Sequence, residues 1–314
     1  MGKILELTEG DPVEVHKGLR SLIYKTIDWL NAITGCSSFG IHPGVQFNSR
    51  DFYFRESEIL KEILELYENK KMNEKKVYGT IHQSNGIQPI KACKEFIEEL
   101  IKNLDLHLQL GTNNLTVHLP VDKENRIAEI CEILTSDAII NQLEIIRNKN
   151  PNISIDFENN HHGSFFGNLD HCIALFQSLK DKLYEIGKKD IYPILNICFD
   201  SGHFFIDADK MNYNKTAMLE NFFETMKAKI NTLHIHTNDG ITDRHFLLGR
   251  SYDNFLIKPA INKEKIQENT TLILETLPML NLKQKNNWNI VSETDSPYKI
   301  EDLIENFKLI FEHL

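Results

Sequence analysis

A chain of 314 residues, 41% of them hydrophobic and 25% charged, has the composition of a folded protein with a full core and excludes a disordered polymer. Its formal charge of −10 works against a general nucleic-acid binder, because an acidic surface repels phosphate, although clustered metal ligands are themselves rich in Asp and Glu and bound cations offset that charge locally. No apolar run reaches membrane-spanning length, and Met1-Gly2-Lys3-Ile4-Leu5-Glu6 lacks the basic-then-apolar pattern of a secretory signal, so a cytoplasmic protein with no membrane partner is expected.

In chain order, strands are predicted near Ile4-Leu7, Phe39-Phe47, Val77-His82, Leu115-Pro120, Ile153-Glu158, Ile194-Asp200, Thr232-His236 and Thr271-Glu275. Between them lie amphipathic segments with helical spacing, such as Glu56-Ile59-Leu60-Ile63-Leu64-Tyr67 and Phe96-Ile97-Leu100-Ile101, and a last helix is expected at Glu301-His313. Alternating strands and helices with no linker rich in Pro, Gly or Ser predict a parallel α/β sheet closed into a (β/α)8 TIM barrel, a single domain spanning 1–314. Two segments look like insertions, Gly187-Asp190 with its neighbours and the polar stretch Asn281-Tyr298. Cys36, Cys93, Cys131, Cys172 and Cys198 are odd in number, scattered and free of any C-x-x-C spacing, which points to buried structural thiols rather than disulfides or a thiolate zinc site.

The strands share a polar ending. His82 and His118 each follow apolar residues at a strand mouth, where an imidazole is a hydrogen-bonded structural group as readily as a ligand. Glu158 ends Ser154-Ile155-Asp156-Phe157-Glu158 and could serve as a general base, a ligand or half of a buried ion pair. Asp200 and His203, a carboxylate at a strand end and an imidazole one turn later, can face one cavity. In His234-Ile235-His236 the period of two puts both rings on one face, with His236 nearer the mouth and favoured as ligand, and His234 deeper in a supporting role. Asp243-Arg244-His245 has a spacing that suits joint binding of one ion, and Thr271-Leu272-Ile273-Leu274-Glu275 stops on a carboxylate. Each ending has a bland explanation. One multinuclear metal centre at the C-terminal ends of the strands explains them together. His161-His162 are expected to be solvated loop residues, and the basic stretch Lys70-Lys71 with Lys75-Lys76 a solvated face.

These residues resemble endonuclease IV, the metal-dependent apurinic/apyrimidinic DNA endonucleases, within the larger group of xylose-isomerase-like barrels. The resemblance runs from about Val77 to Thr276 and is carried by Phe199-Asp200-Ser201-Gly202-His203, His236-Thr237-Asn238-Asp239, Asp243-Arg244-His245 with Leu248-Gly249, and Ile273-Leu274-Glu275-Thr276. It implies three divalent metal ions, Zn2+ with Mn2+ or Fe2+ as alternatives. His82 and His118 would hold one, Glu158 would bridge it to a second held also by Asp200, His236 and Glu275, and His203, Asp243 and His245 would hold the third. The implied activity is hydrolysis of the phosphodiester on the 5′ side of an abasic site in double-stranded DNA, a step of base excision repair, with Glu158 as the catalytic carboxylate.

The sequence departs from that family where DNA is gripped. The loop Gln83-Ser84-Asn85-Gly86-Ile87 has Asn85 and Gly86 where an aromatic and an aliphatic wedge are expected, and Gly249-Arg250-Ser251 replaces Gly-Glu-Gly. Arg50 is the candidate DNA-binding side chain, with pairing to Asp51 as its structural alternative. A metal-dependent sugar or sugar-phosphate isomerase or epimerase of the same barrel group, acting on a small sugar, is the competing expectation; a non-catalytic metal-binding barrel is the third.

Overall fold

The computed structural model describes residues 4–7, 38–41, 76–82, 114–121, 123–161, 164–248, 262–281, 289–292 and 300–313, with part of a helical stretch between 96 and 108. Its strands are β1 (Ile4–Leu7), β2 (Ser38–Ile41), β3 (Lys76–His82), β4 (Asn114–His118), β5 (Ser154–Glu158), β6 (Leu195–Asp200), β7 (Ile230–His234) and β8 (Asn289–Ser292). They pair in sequence order, all parallel, and β8 pairs with both β7 and β1, so the sheet is a closed barrel. The expected (β/α)8 barrel is the fold observed.

A period of two splits β4 to β7 into two faces. Leu115, Val117, Ile155, Phe157, Ile197, Phe199 and Leu233 join one apolar core with the surrounding helices. That shell includes α1 (Ile127–Leu134), α2 (Asp137–Lys149), α3 (Leu169–Glu185), α4 (Ser201–Met211), α5 (Lys215–Met226), α6 (Lys263–Thr276) and α7 (Ile300–His313). Phe199 of β6 packs edge-on against Phe223 of α5 at 5.1 Å and lies 6.2 Å from Phe204 of α4, and all three rings are fully buried. Each such side chain contributes about 1.5–3 kcal/mol by leaving water. The helices start where the sequence supplies caps: Asn168, Asp200, Asn214 and Asn262 each accept a backbone N–H from the first turn of α3, α4, α5 and α6.

The alternate residues are polar and turn toward one another. Asn114 donates to Asp156 at 2.6 Å, Asn231 donates to the same carboxylate at 3.0 Å, and the hydroxyls of Ser154 and Thr232 also reach it. Burial raises the Asp156 carboxyl above the usual range against the pull of these donors. This polar layer lies two residues before Glu158 on β5, so it floors the mouth where the strand-end ligands sit.

The eighth strand differs from the expectation. Thr271–Glu275 lies inside α6, not in the sheet. Its buried residues Ile266, Asn269, Thr270 and Ile273 recur at helical spacing, and Asn262 caps the start, so the run Leu272-Ile273-Leu274 is one turn of an amphipathic helix. The true closing strand is Asn289–Ser292, inside the segment expected to be a polar insertion. The other expected insertion is a connection: Gly187, at φ 72°, ends the turn after α3, and a 3-10 helix at Lys189–Ile194 leads into β6. The expected helix at Glu56–Tyr67 lies outside the described residues. Cys131, Cys172 and Cys198 are buried free thiols, with burial pushing Cys131 up to about 11 and Cys172 to about 12; Cys36 and Cys93 lie outside the described residues. No helix among the described residues is long and apolar enough to cross a membrane.

Candidate metal centre

Register brings the strand ends level. His118 is paired with Glu158 across β4 and β5, and Asp200 with His234 across β6 and β7. Glu158, almost wholly buried, reaches three imidazoles: Oε2 lies 3.2 Å from Nε2 of His118, and Oε1 lies 3.1 Å from Nδ1 of His234 and 3.5 Å from Nδ1 of His203. Asp200 stands beside it, with His234 Nδ1 3.5 Å from Oδ2 and His236 Nε2 3.1 Å from both oxygens.

The motif Asp200-Ser201-Gly202-His203 has a local reason at each position. Asp200 ends β6 and caps α4, its Oδ1 accepting the His203 N–H at 2.7 Å. Ser201 lies 2.6 Å from the His236 carbonyl and accepts the His236 N–H at 3.0 Å, fastening α4 to the chain leaving β7. At Gly202 a Cβ would fall 2.0 Å from Cε1 of His236, so only glycine admits that ring. Asn159 continues the β5–β6 ladder with its side chain, accepting the Asp200 N–H at 2.7 Å and donating to the Asp200 carbonyl at 3.0 Å.

A second group hangs over the first. After β7 the chain turns through Gly240, at φ 73°, and Thr237 and Phe246 exchange two backbone hydrogen bonds of 2.9 Å that close the loop. Asp239 accepts the N–H groups of Ile241 and Thr242 at 3.1 and 3.2 Å. This carries Asp243 back over the mouth, its Oδ2 3.7 Å from His203 Nε2 and 3.1 Å from His161 Nε2, its Oδ1 3.3 Å from His245 Nε2. The His245 ring lies 4.2 Å from that of His236.

The electrostatics follow from this crowding. Burial alone would raise the Asp200 carboxyl, but His203 and His236, with hydrogen bonds from His234 and His236, hold it well below its ordinary value. Asp243 is likewise held low against burial by His203 and by hydrogen bonds from His161, His203 and His245. Burial opposes charge on His203, yet Asp200, Asp243 and Glu158 drive its pKa well up.

The donor set fits divalent cations. The Asn159 carbonyl, 2.9 Å from His203 Nδ1, can only accept, so Nδ1 carries a hydrogen there and Nε2, which faces Asp243, is the ring atom free to bind a cation once its own proton is displaced. Carboxylate oxygens and ring nitrogens 3.1–3.7 Å apart are spaced as ligand atoms are around an ion with bonds of about 2.1 Å. Among the described residues, three groups each bring their ligand atoms within 4.8 Å of one another: Glu158, Asp200 and His203; His161, His203 and Asp243; and Glu158, Cys198 and His234.

The expected site residues are thus brought together in the case of His118, Glu158, Asp200, His203, His236, Asp243 and His245. His82 is the last residue of β3, and its side chain lies outside the described residues. Arg50 also lies outside them. Glu275 is corrected: it is exposed on α6, because the segment that carries it is helical. In the sequence it is Glu293 that follows the true last strand, and Glu293 lies outside the described residues. Two residues stand closer to the site than the sequence reading placed them, His234 having been expected deeper in a supporting role and His161 in solvent. His234 is fully buried and touches both Glu158 and Asp200, and His161 is buried against Asp243 instead of solvated. Their signal was position: His234 ends a strand, and His161 stands three residues beyond one.

No protein-family model matches the chain, nor does any curated protein sequence. Among solved structures it is similar to a D-tagatose 3-epimerase-like protein at 17% identity and a TM-score of 0.53, covering 100% of this chain and 97% of the other. It is similar to a Thermus thermophilus protein, TTHB071, from a crystal soaked with ZnCl2, at 13% identity and a TM-score of 0.52 over 99% of each. A xylose isomerase domain protein from Planctomyces limnophilus aligns at 11% identity and a TM-score of 0.48, over 99% of this chain and 96% of that one. The likeness is one of fold, a (β/α)8 TIM barrel.

Proposed function

We propose that the chain is a metal-dependent phosphodiesterase that resembles endonuclease IV in its chemistry and cuts DNA on the 5′ side of an abasic deoxyribose. The observation that supports this reading is the size of the donor set. A sugar isomerase or epimerase of this barrel group would need a divalent ion held by residues such as Glu158, Asp200 and His236, without the pair Asp243 and His245; here Asp243, His203 and His245 stand over that set as a second group. His82 and His118 would hold one ion, Glu158, Asp200 and His236 a second, and His203 and Asp243 a third, with zinc the best match to mixed imidazole and carboxylate donors. When bound, such ions supply Lewis acidity to a phosphoryl group and activate water at neutral pH.

The chain's own residues do the rest. Glu158 spans the imidazoles of β4 and β7 with its two oxygens and fixes their separation. Asn159 sets the His203 tautomer, and Ser201 pins the turn that presents His236. The apolar shell behind β4 to β7 and the buried floor at Asp156 keep bulk water to one side of the site. Glu293, next in sequence after β8, takes the role the resemblance gave to Glu275.

The sugar isomerase or epimerase is the second reading, favoured by Asn85 and Gly86 standing where an aromatic and an aliphatic wedge are expected in Gln83-Ser84-Asn85-Gly86-Ile87. One assay separates them. A duplex carrying a tetrahydrofuran abasic analogue should be nicked at low and moderate salt, with nicking abolished by chelation and reduced at least about a thousandfold by Glu158→Gln. Metal-dependent interconversion of ketoses with no nicking would replace the first reading with the second.

A further inference from the structure

We infer that His161 is a metal ligand, forming with His203 and Asp243 a site for one divalent cation of the zinc class. The inference rests on the barrel mouth being a metal centre and revises which residues complete its outermost site. The resemblance assigned that ion to His203, Asp243 and His245. The Asp243 carboxylate divides the imidazoles differently. Its Oδ2 faces His161 at 3.1 Å and His203 at 3.7 Å, and those two rings are 4.3 Å apart. Its Oδ1 faces His245 at 3.3 Å, and that ring leans 4.2 Å from His236, on the Asp200 side.

Ligand atoms around a tetrahedral ion with bonds of about 2.1 Å stand about 3.4 Å apart, so the His161 and His203 distances to Oδ2 bracket that value. The segment is also held firmly enough to serve. The His161 N–H donates to Asn160 Oδ1 at 2.8 Å, the Asn160 N–H donates to the Phe166 carbonyl at 3.2 Å, and the Asn160 side chain donates to the Leu119 carbonyl. Two imidazoles and one carboxylate form the donor set of zinc sites that leave a position open to substrate, whereas three imidazoles and a carboxylate would fill all four. His245 is then left to the inner group beside His236.

The test uses the full chain, stripped by chelation and titrated with Zn2+ and, separately, Co2+. His161→Ala should bind one ion fewer, or bind one ion at least about a hundredfold more weakly, while His162→Ala matches the wild type. His161→Cys should add a thiolate-to-cobalt charge-transfer band beyond any that Cys198 gives in the wild-type titration, a readout that a merely structural histidine would not move. Unchanged stoichiometry and affinity in His161→Ala, together with no new band in His161→Cys, would overturn the assignment and leave His161 a hydrogen-bond partner of Asp243. A wild-type chain that takes up neither metal would overturn it along with the whole metal centre. Neither result depends on whether DNA or a sugar is the substrate, so the nicking assay fails or succeeds separately.

Discussion

At the scale of single residues the site is organised by what each polar atom can do with its proton. His203 illustrates it. Its Nδ1 is committed to the Asn159 carbonyl, and its pKa is driven well above the ordinary imidazole value by Asp200 and Asp243 in spite of burial, so without cations the ring carries a proton at neutral pH. A ligating imidazole must be neutral. Metal binding therefore has to expel that proton, and the sign is fixed: affinity should fall as pH is lowered through the raised pKa, by about tenfold per pH unit for each proton displaced. Calorimetric titration with Zn2+ at pH 7 in buffers of different ionisation enthalpy should show release of about one proton or more per chain. A buffer-independent heat would mean that His203 is already neutral or takes no part. The strand-end residues His118, Glu158 and Asp200 were legible in the sequence because each closes an apolar alternation. His161 was not, since a histidine in a polar loop looks solvated until the fold supplies Asp243 from another loop far along the chain.

At the scale of elements, one helix was taken for a strand, and the reason is physical. Thr271-Leu272-Ile273-Leu274-Glu275 is apolar enough for a buried strand over five residues; the helix shows only in a longer window, where Ile266, Asn269, Thr270 and Ile273 mark one face and Asn262 a cap. The strand that closes the barrel has four residues, Asn289-Ile290-Val291-Ser292, and polar flanks that hide it. Both segments are followed by or end in Glu-Thr, which is why the motif could settle on the wrong copy. The two glutamates make a direct comparison. Glu275→Gln, on an exposed helix face, should leave metal content and activity at wild-type levels and stability within about 0.5 kcal/mol. Glu293→Gln should lower zinc content and activity together. Zinc analysis and nicking rates for the two variants check this; loss in Glu275→Gln with none in Glu293→Gln would reverse the assignment.

At the scale of the whole molecule, the barrel is held by two chemically different parts. Its outer shell is apolar and continuous from β4 to β7 and their helices, while the inner face of those strands is polar in layers, with Asp156 satisfied by amides and hydroxyls below and the carboxylate–imidazole group above. The lower layer needs no cation, so chelation should leave the far-ultraviolet circular dichroism of a folded barrel. The upper layer should gain from metal: zinc at a thousandfold excess over its dissociation constant adds about 4 kcal/mol, which on a chain of this size is a melting-temperature rise of several degrees. An unchanged melting temperature on adding zinc would argue against any metal at the mouth. The general architecture was readable from strand and helix alternation alone, because closure depends on the number and order of units more than on any one of them. The loop closed by Thr237 and Phe246 carries a last consequence. Its base holds the ligand-bearing residues by paired backbone bonds, Gly240 is confined by its dihedral and by Asp209, and Ile241 projects with 73% of its surface free. Evolution can thus trade the side chain at that one tip while the machinery beneath stays unaltered.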